Sequence, residues 1–402
     1  MLKKQFLNSI NAIIAYLILV CFFIRLPFLS NKSMILLGII VCCVFAFTHK
    51  RVLFNIRELL LIISLTAYAL ITHRNALGCS YIILLPTIFA FIGKYLIYDL
   101  HNHQQLEKAI WLMICTIVIG YSIHGILNSI LFLQNGFSQN GRAWLDIWDG
   151  TAPAATLQVL YFLPVLSLFF PGLLMIQNHS LVSISILLTN VFFLYISIIT
   201  MSRIPLVIWG IILIIDICFE FVFAHKRLNW GKIKKIFIPV GIMFIIISIA
   251  ILWFCIYNDE LTSQFSWLKR NGGIINNIRF KAQIHALMQL FVYPMGGYQM
   301  ELAGLSYAHN LWLDLANAAG LIAFIPFTLY TFLSLIDLCR FFPEPNITFK
   351  MKFAVGGLYL SFLLYFLIET PLEASVLNIL PWCYMNGTLH GYQLISKNKI
   401  KE

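Results

Sequence analysis

Three residues far apart in this chain are of the types that bind an anion or take a proton. Arg203 stands in Thr200-Met201-Ser202-Arg203-Ile204-Pro205, a short break between two apolar runs. Serine with a proline soon after is a helix-start signal, so a helix begins there. A helix N-terminus carrying an arginine makes an anion site, although a snorkelling membrane anchor has the same look. Arg279 stands in Asn276-Asn277-Ile278-Arg279-Phe280-Lys281, where its planar fork could clamp a phosphate or merely face water. His309-Asn310 comes just before a long apolar run. A neutral imidazole at that place could take the proton of an incoming hydroxyl, and the pair could equally be a helix cap.

A second group lies in the segment from 132 to 152, LQNGFSQNGRAWLDIWDGTAP. Arg142, Trp144, Asp146 and Trp148 could supply a charge and aromatic platforms for sugar. The favoured reading of the tryptophans is an aromatic belt at the membrane surface. Glu369 and Glu373, after a late apolar run, could orient a base, and the favoured reading is of solvated carboxylates. Asp146, Asp149, Asp259, Glu260 and Glu301 show no D-x-D spacing, so neither a metal site nor a cofactor is expected. The nine cysteines sit mostly inside apolar runs without C-x-x-C spacing, as small hydrophobes rather than a disulfide framework.

The elements that must position these residues are membrane helices. Sixty per cent of the 402 residues are apolar or aromatic, only 11% are charged, and mean hydropathy is +0.88. A soluble domain would carry about a quarter charged residues. The net charge of +11 comes from short basic clusters between apolar runs, which excludes a nucleic-acid partner and points to lipid. An all-α, polytopic integral membrane protein is expected. About twelve spans are read near 7–29, 33–48, 58–72, 80–98, 109–131, 153–176, 181–201, 204–224, 236–257, 311–336, 353–369 and 375–394. Arg25 and Lys94 fall inside spans. The remaining loop lysines and arginines divide about 17 to 8 in favour of the side holding both termini, which makes that side cytoplasmic. Residues 1–402 form one membrane domain, with one large outer loop, 258–310, between the ninth and tenth spans. The stretch from Arg279 to Leu290 reads as a helix lying on the membrane surface.

The ordered set of Ser202-Arg203 at a helix start, Arg279, Pro294-Met295-Gly296-Gly297, His309-Asn310-x-x-Leu313 and Gly320 resembles the O-antigen ligase and O-antigen polymerase family, over roughly residues 190–335. One position departs: Tyr298-Gln299 follows Gly297 where the family commonly has a further glycine. The resemblance implies transfer of a glycan from undecaprenyl diphosphate onto an acceptor hydroxyl, without a metal, at the outer face of the bacterial cytoplasmic (inner) membrane. Ligases use a lipid A–core sugar as acceptor. Polymerases of O-antigen or capsule use another lipid-linked repeat unit. By position, Arg203 and Arg279 would hold the diphosphate and His309 would be the general base. Asn310, Arg142 and Asp146 complete the expected substrate contacts. A transporter or flippase of lipid-linked sugars is the competing class. It should place polar groups mid-membrane, and the spans are mostly clean, with Lys94 and Asp216 the main exceptions.

Overall fold

The computed structural model describes residues 2–27, 31–49, 53–73, 75–98, 100, 102–137, 143–176, 180–200, 202–224, 278–345, 347–369 and 371–399. The span expected at 236–257, loop residues 258–277 and Arg142 lie outside them. The described chain is all-helical. The helices are α1 (Leu2–Ile24), α2 (Asn31–His49), α3 (Ile56–Thr72), α4 (Ala76–Tyr98), α5 (His103–Asn135), α6 (Ala155–Gln158), α7 (Leu163–Leu166) and α8 (Phe169–Met175). They continue with α9 (Ser180–Ile199), α10 (Arg203–Ala224), α11 (Ile278–Gln289), α12 (Leu311–Phe341), α13 (Phe349–Ile368), α14 (Pro371–Ala374) and α15 (Leu380–Lys399). Five of them are long and apolar enough to cross a membrane: α4, nearly all of α5, α9, α12 and α13. Large apolar side chains such as Phe47, Leu181, Leu188 and Ile214 face outward, as lipid contact requires. Among the described residues the cysteines are all free.

Local chemistry explains most boundaries. Asn55 and Glu58 form a capping box that starts α3. Asn102 caps α5 through Gln104 N–H. The span expected at 153–176 is instead the broken series α6, α7 and α8 with a 3-10 turn between. Pro164 and Pro171 remove two backbone donors there, and a continuous helix cannot run through both easily.

The break in α12 matters most for function. Ala319 and Gly320 leave helical geometry, Gly320 with φ 63° and ψ −158°. The turn at 294–298 fills the gap. Leu321 N–H donates to Pro294 O, Gly297 N–H to Ala318 O and Tyr298 N–H to Asn317 O, each at 2.8 Å. A non-helical backbone at this position keeps its polar groups satisfied only because protein, not lipid, surrounds it. A Cβ on Gly320 would run into the Pro294 carbonyl, and one on Gly296 into Gly320 N–H. The Pro-Met-Gly-Gly motif and Gly320 are thus two halves of one joint.

The helices share two ends. Ser64 donates to Ala323 O and Arg57 to Asp337, so α3 and α12 run antiparallel. Gly387 and Gly391 of α15 meet Ala90 and Lys94 of α4, so those two run parallel and in close backbone contact. Phe219 packs on Phe353 and Ile212 lies beside Gly357, so α10 and α13 run antiparallel. One end therefore gathers the starts of α4, α10, α12 and α15 with the finishes of α3 and α13. The other gathers the ion pairs Arg57–Asp337 and Lys94–Glu58, with His390 on Asp337.

Candidate active site

Helix α11 brings the first functional side chain. Ala282 and Ala286, one turn apart, are fully buried and seat this helix on the body of the protein. Arg279 and Gln283, also one turn apart, then share one face. Arg279 donates to Glu369 Oε1 at 2.5 Å and to Ile368 O at 3.4 Å. Gln283 bridges His309 O at 2.9 Å and Leu367 O at 3.0 Å. The helix read along Arg279 to Leu290 is there, and its polar edge faces the end of α13.

His309 sits at φ 54°, a left-handed backbone rare for a residue with a side chain. Its neighbours hold it there. Asp314, buried in the first turns of α12, accepts from Ala308 N–H at 2.7 Å and from Asn310 N–H at 3.1 Å. Asn310 caps the helix by accepting from Leu313 N–H and donates to Leu367 O. With both flanking amides pinned, the imidazole turns towards Glu369. Its Nδ1 stands 3.6 Å from Oε2, beyond a hydrogen bond but inside ion-pair range.

Glu369 corrects the sequence reading. It is 2% exposed rather than solvated, and its two oxygens face Arg279 and His309. No motif announced it: an acid just after an apolar run is as often a surface residue. Gln283 and Asp314 do carry a signal in the sequence, since Gln283 stands four residues after Arg279 and Asp314 is an acid in a first helical turn. Glu373 is also less solvated than expected. Burial raises its pKa, against the hydrogen bonds from Tyr68 and Tyr298 that favour the carboxylate. Tyr298 donates to it at 3.2 Å.

Arg203 is the first residue of α10 and is exposed. Phe219 lies sixteen residues after it and Phe353 sixteen before Glu369, and those two rings touch. Sixteen helical residues rise about 24 Å in each helix, so Arg203 and Glu369 lie at the same end of this antiparallel pair.

The 143–154 segment folds differently from a surface belt. Trp144 is fully buried. Asp146 accepts from Asn128 and Trp148 N–H, and its Oδ2 lies 2.8 Å from His124 Nε2. Burial alone would raise the Asp146 pKa, but those partners outweigh it and hold the carboxyl well below its usual range. Asp146 is thus committed to packing this segment, beside a cavity rather than beside His309. No group of three metal-ligating side chains occurs among the described residues.

What fold and site define is a class: an all-helical membrane protein with a histidine, an arginine and a buried glutamate joined at one end of its helices. No protein-family model matches the sequence, and no curated protein matches it. The arrangement has to speak for itself.

Proposed function

We propose that this protein is a membrane glycosyltransferase of the O-antigen ligase type, which moves a glycan from undecaprenyl diphosphate to an acceptor sugar hydroxyl such as that of lipid A–core. The observation that carries it is the convergence of Arg279 and His309 on Glu369. His309 takes the proton of the acceptor hydroxyl as that oxygen bonds to the anomeric carbon. The bond from that carbon to the diphosphate oxygen breaks. Arg279, with Arg203 at the same end of the helices, offsets the charge that gathers on the leaving undecaprenyl diphosphate. Glu369 orients the imidazole and stabilises it once protonated. Because Glu369 already holds Arg279, an arriving phosphate must share or displace that contact.

In this reading there are twelve spans, the site end is the outer, periplasmic face, and both termini are cytoplasmic. Two features support that. The site end holds the loops poorer in basic residues, and the expected span at 236–257 fits the change of end between Ala224 and Ile278. The transporter reading loses one of its two supports, since Lys94 pairs with Glu58 near helix ends rather than mid-membrane. It keeps the other in Asp216, 4% exposed and well inside α10.

A deletion strain read by lipopolysaccharide gel tests the proposal. Loss of a ligase leaves core without polymer and lets lipid-linked chains accumulate. A single repeat unit on core reassigns the same site to a polymerase of O-antigen or capsule. The variants Arg203→Ala, Arg279→Ala and His309→Ala, with membrane insertion confirmed, should each abolish surface glycan. Intact glycan in all three, with loss in Asp216→Asn, hands the function to transport.

A further inference from the structure

A cavity of 940 Å³ opens at the site end. The segment from Leu372 to Asn378 forms one wall, and none of Arg279, His309 and Glu369 lines it. Its volume suits a small polar ligand of one or two rings. The residue that stands out in it is Arg25.

Arg25 follows the last turn of α1 at φ 57°, a second left-handed backbone on a residue with a side chain. Strain of that kind persists only where the surroundings impose it, and it clusters at binding sites. Here the surroundings aim a guanidinium. Arg25 donates to Asn378 Oδ1 at 2.7 Å and lies 5.1 Å from the centre of the Tyr161 ring. Those contacts steer the group without neutralising it. Among the described residues no carboxylate reaches ion-pair distance of Arg25.

The acids lining the same cavity take their hydrogen bonds from other groups, although Asp146 keeps its charge and acts on Arg25 from a distance. Asp146 is held by His124 and Asn128, Asp149 accepts from Thr151, and Glu373 accepts from Tyr298. Lys32 lines the rim and adds a second cation. The cavity thus presents two cations that no described carboxylate touches, with Asp146 acting on Arg25 only from beyond ion-pair distance, and an anion in direct contact stabilises the partly buried guanidinium further. Trp148 and Tyr81 line it too, and apolar ring faces suit the C–H face of a sugar.

We infer that this cavity binds a sugar carrying a phosphate or carboxylate group, with Arg25 and Lys32 on the anion and Trp148 and Tyr81 beside the ring. Its use as the place of the acceptor rests on the transferase reading. The binding itself does not.

The test is calorimetric titration of the full-length protein in phosphatidylcholine nanodiscs with glucose 1-phosphate and, separately, glucose. Saturable binding of the phosphate ester and none of glucose is expected. Arg25→Gln should weaken it about tenfold or more, and Lys32→Gln about threefold, in keeping with the loss of a charge-assisted contact. Arg279→Gln should leave it unchanged. If Arg25→Gln melts early, the selectivity of the unmodified protein and the exposed Lys32→Gln still decide. Equal binding of glucose, or loss in Arg279→Gln instead of Lys32→Gln, overturns the inference. A repeat in phosphatidylglycerol nanodiscs separates the sources of the anion: binding that survives supports a sugar ligand, and binding that vanishes gives the cavity to a lipid headgroup. Intact binding in a protein that transfers no glycan would defeat the transferase reading alone.

Discussion

The guanidinium of Arg279 meets the carboxylate of Glu369 at 2.5 Å, across ninety residues of chain. The same carboxylate faces His309, so one buried acid sets the positions of a cation and a base. Such a pairing divides labour. The arginine suits the binding of an anion and the histidine suits proton transfer, and Glu369 competes with the first while assisting the second.

Glu369→Gln separates those two roles. It frees Arg279 from its counter-charge, so KM for the lipid-linked donor should stay the same or fall. It also deprives His309 of its stabilising partner, so kcat should drop by about tenfold to a hundredfold. Steady-state transfer assays in detergent read the split. A rise in KM with kcat untouched would contradict the assignment.

His309→Gln removes the base without removing bulk. Loss of a positioned general base costs about 10²- to 10⁴-fold in rate. Donor binding should survive, because the guanidinium groups remain. Asp314→Ala tests the same point from behind. It frees the amides of Ala308 and Asn310 that hold the left-handed backbone, so kcat should fall with little change in KM, while Asp314→Asn should rescue part of the loss by accepting one of the two bonds.

Gly320→Ala attacks the joint in α12. Its backbone conformation is open almost solely to glycine, and the added Cβ meets the Pro294 carbonyl. A cost of at least about 1–3 kcal/mol follows from the backbone alone. A lowered melting temperature of the solubilised protein should show it. An unchanged melt would mean that the joint is slack.

Stability at the site end should depend on pH through Glu373. Burial raises its folded pKa above the ordinary 4.5, so folding favours the protonated form. That contribution is full below the unfolded pKa and is lost as pH climbs through the higher folded value. Melting temperatures should therefore decline across this window, and Glu373→Gln, which stays neutral, should flatten the decline. A steeper fall in the variant would reverse the sign and refute the cause.

Membrane character was determined by the sequence alone, because a chain with 60% apolar and aromatic residues and 11% charged has no stable arrangement in water. Helix starts at Ser202-Arg203 and Asn310 were legible too, since capping depends on neighbours a few residues away. The pieces of the α12 joint were visible as Pro294, Gly296 and Gly320, but not their union, because it rests on hydrogen bonds between segments separated in the chain. Only the tertiary structure decided which carboxylate is buried. Glu369 and a solvated surface acid look the same in one dimension, and the difference between them is the desolvation imposed by α11 and the end of α13. Arg25 and Asp146 make the same point in opposite directions. Both are charged residues at the site end, yet packing left one in an open cavity beyond ion-pair distance of any described carboxylate and tied the other to His124.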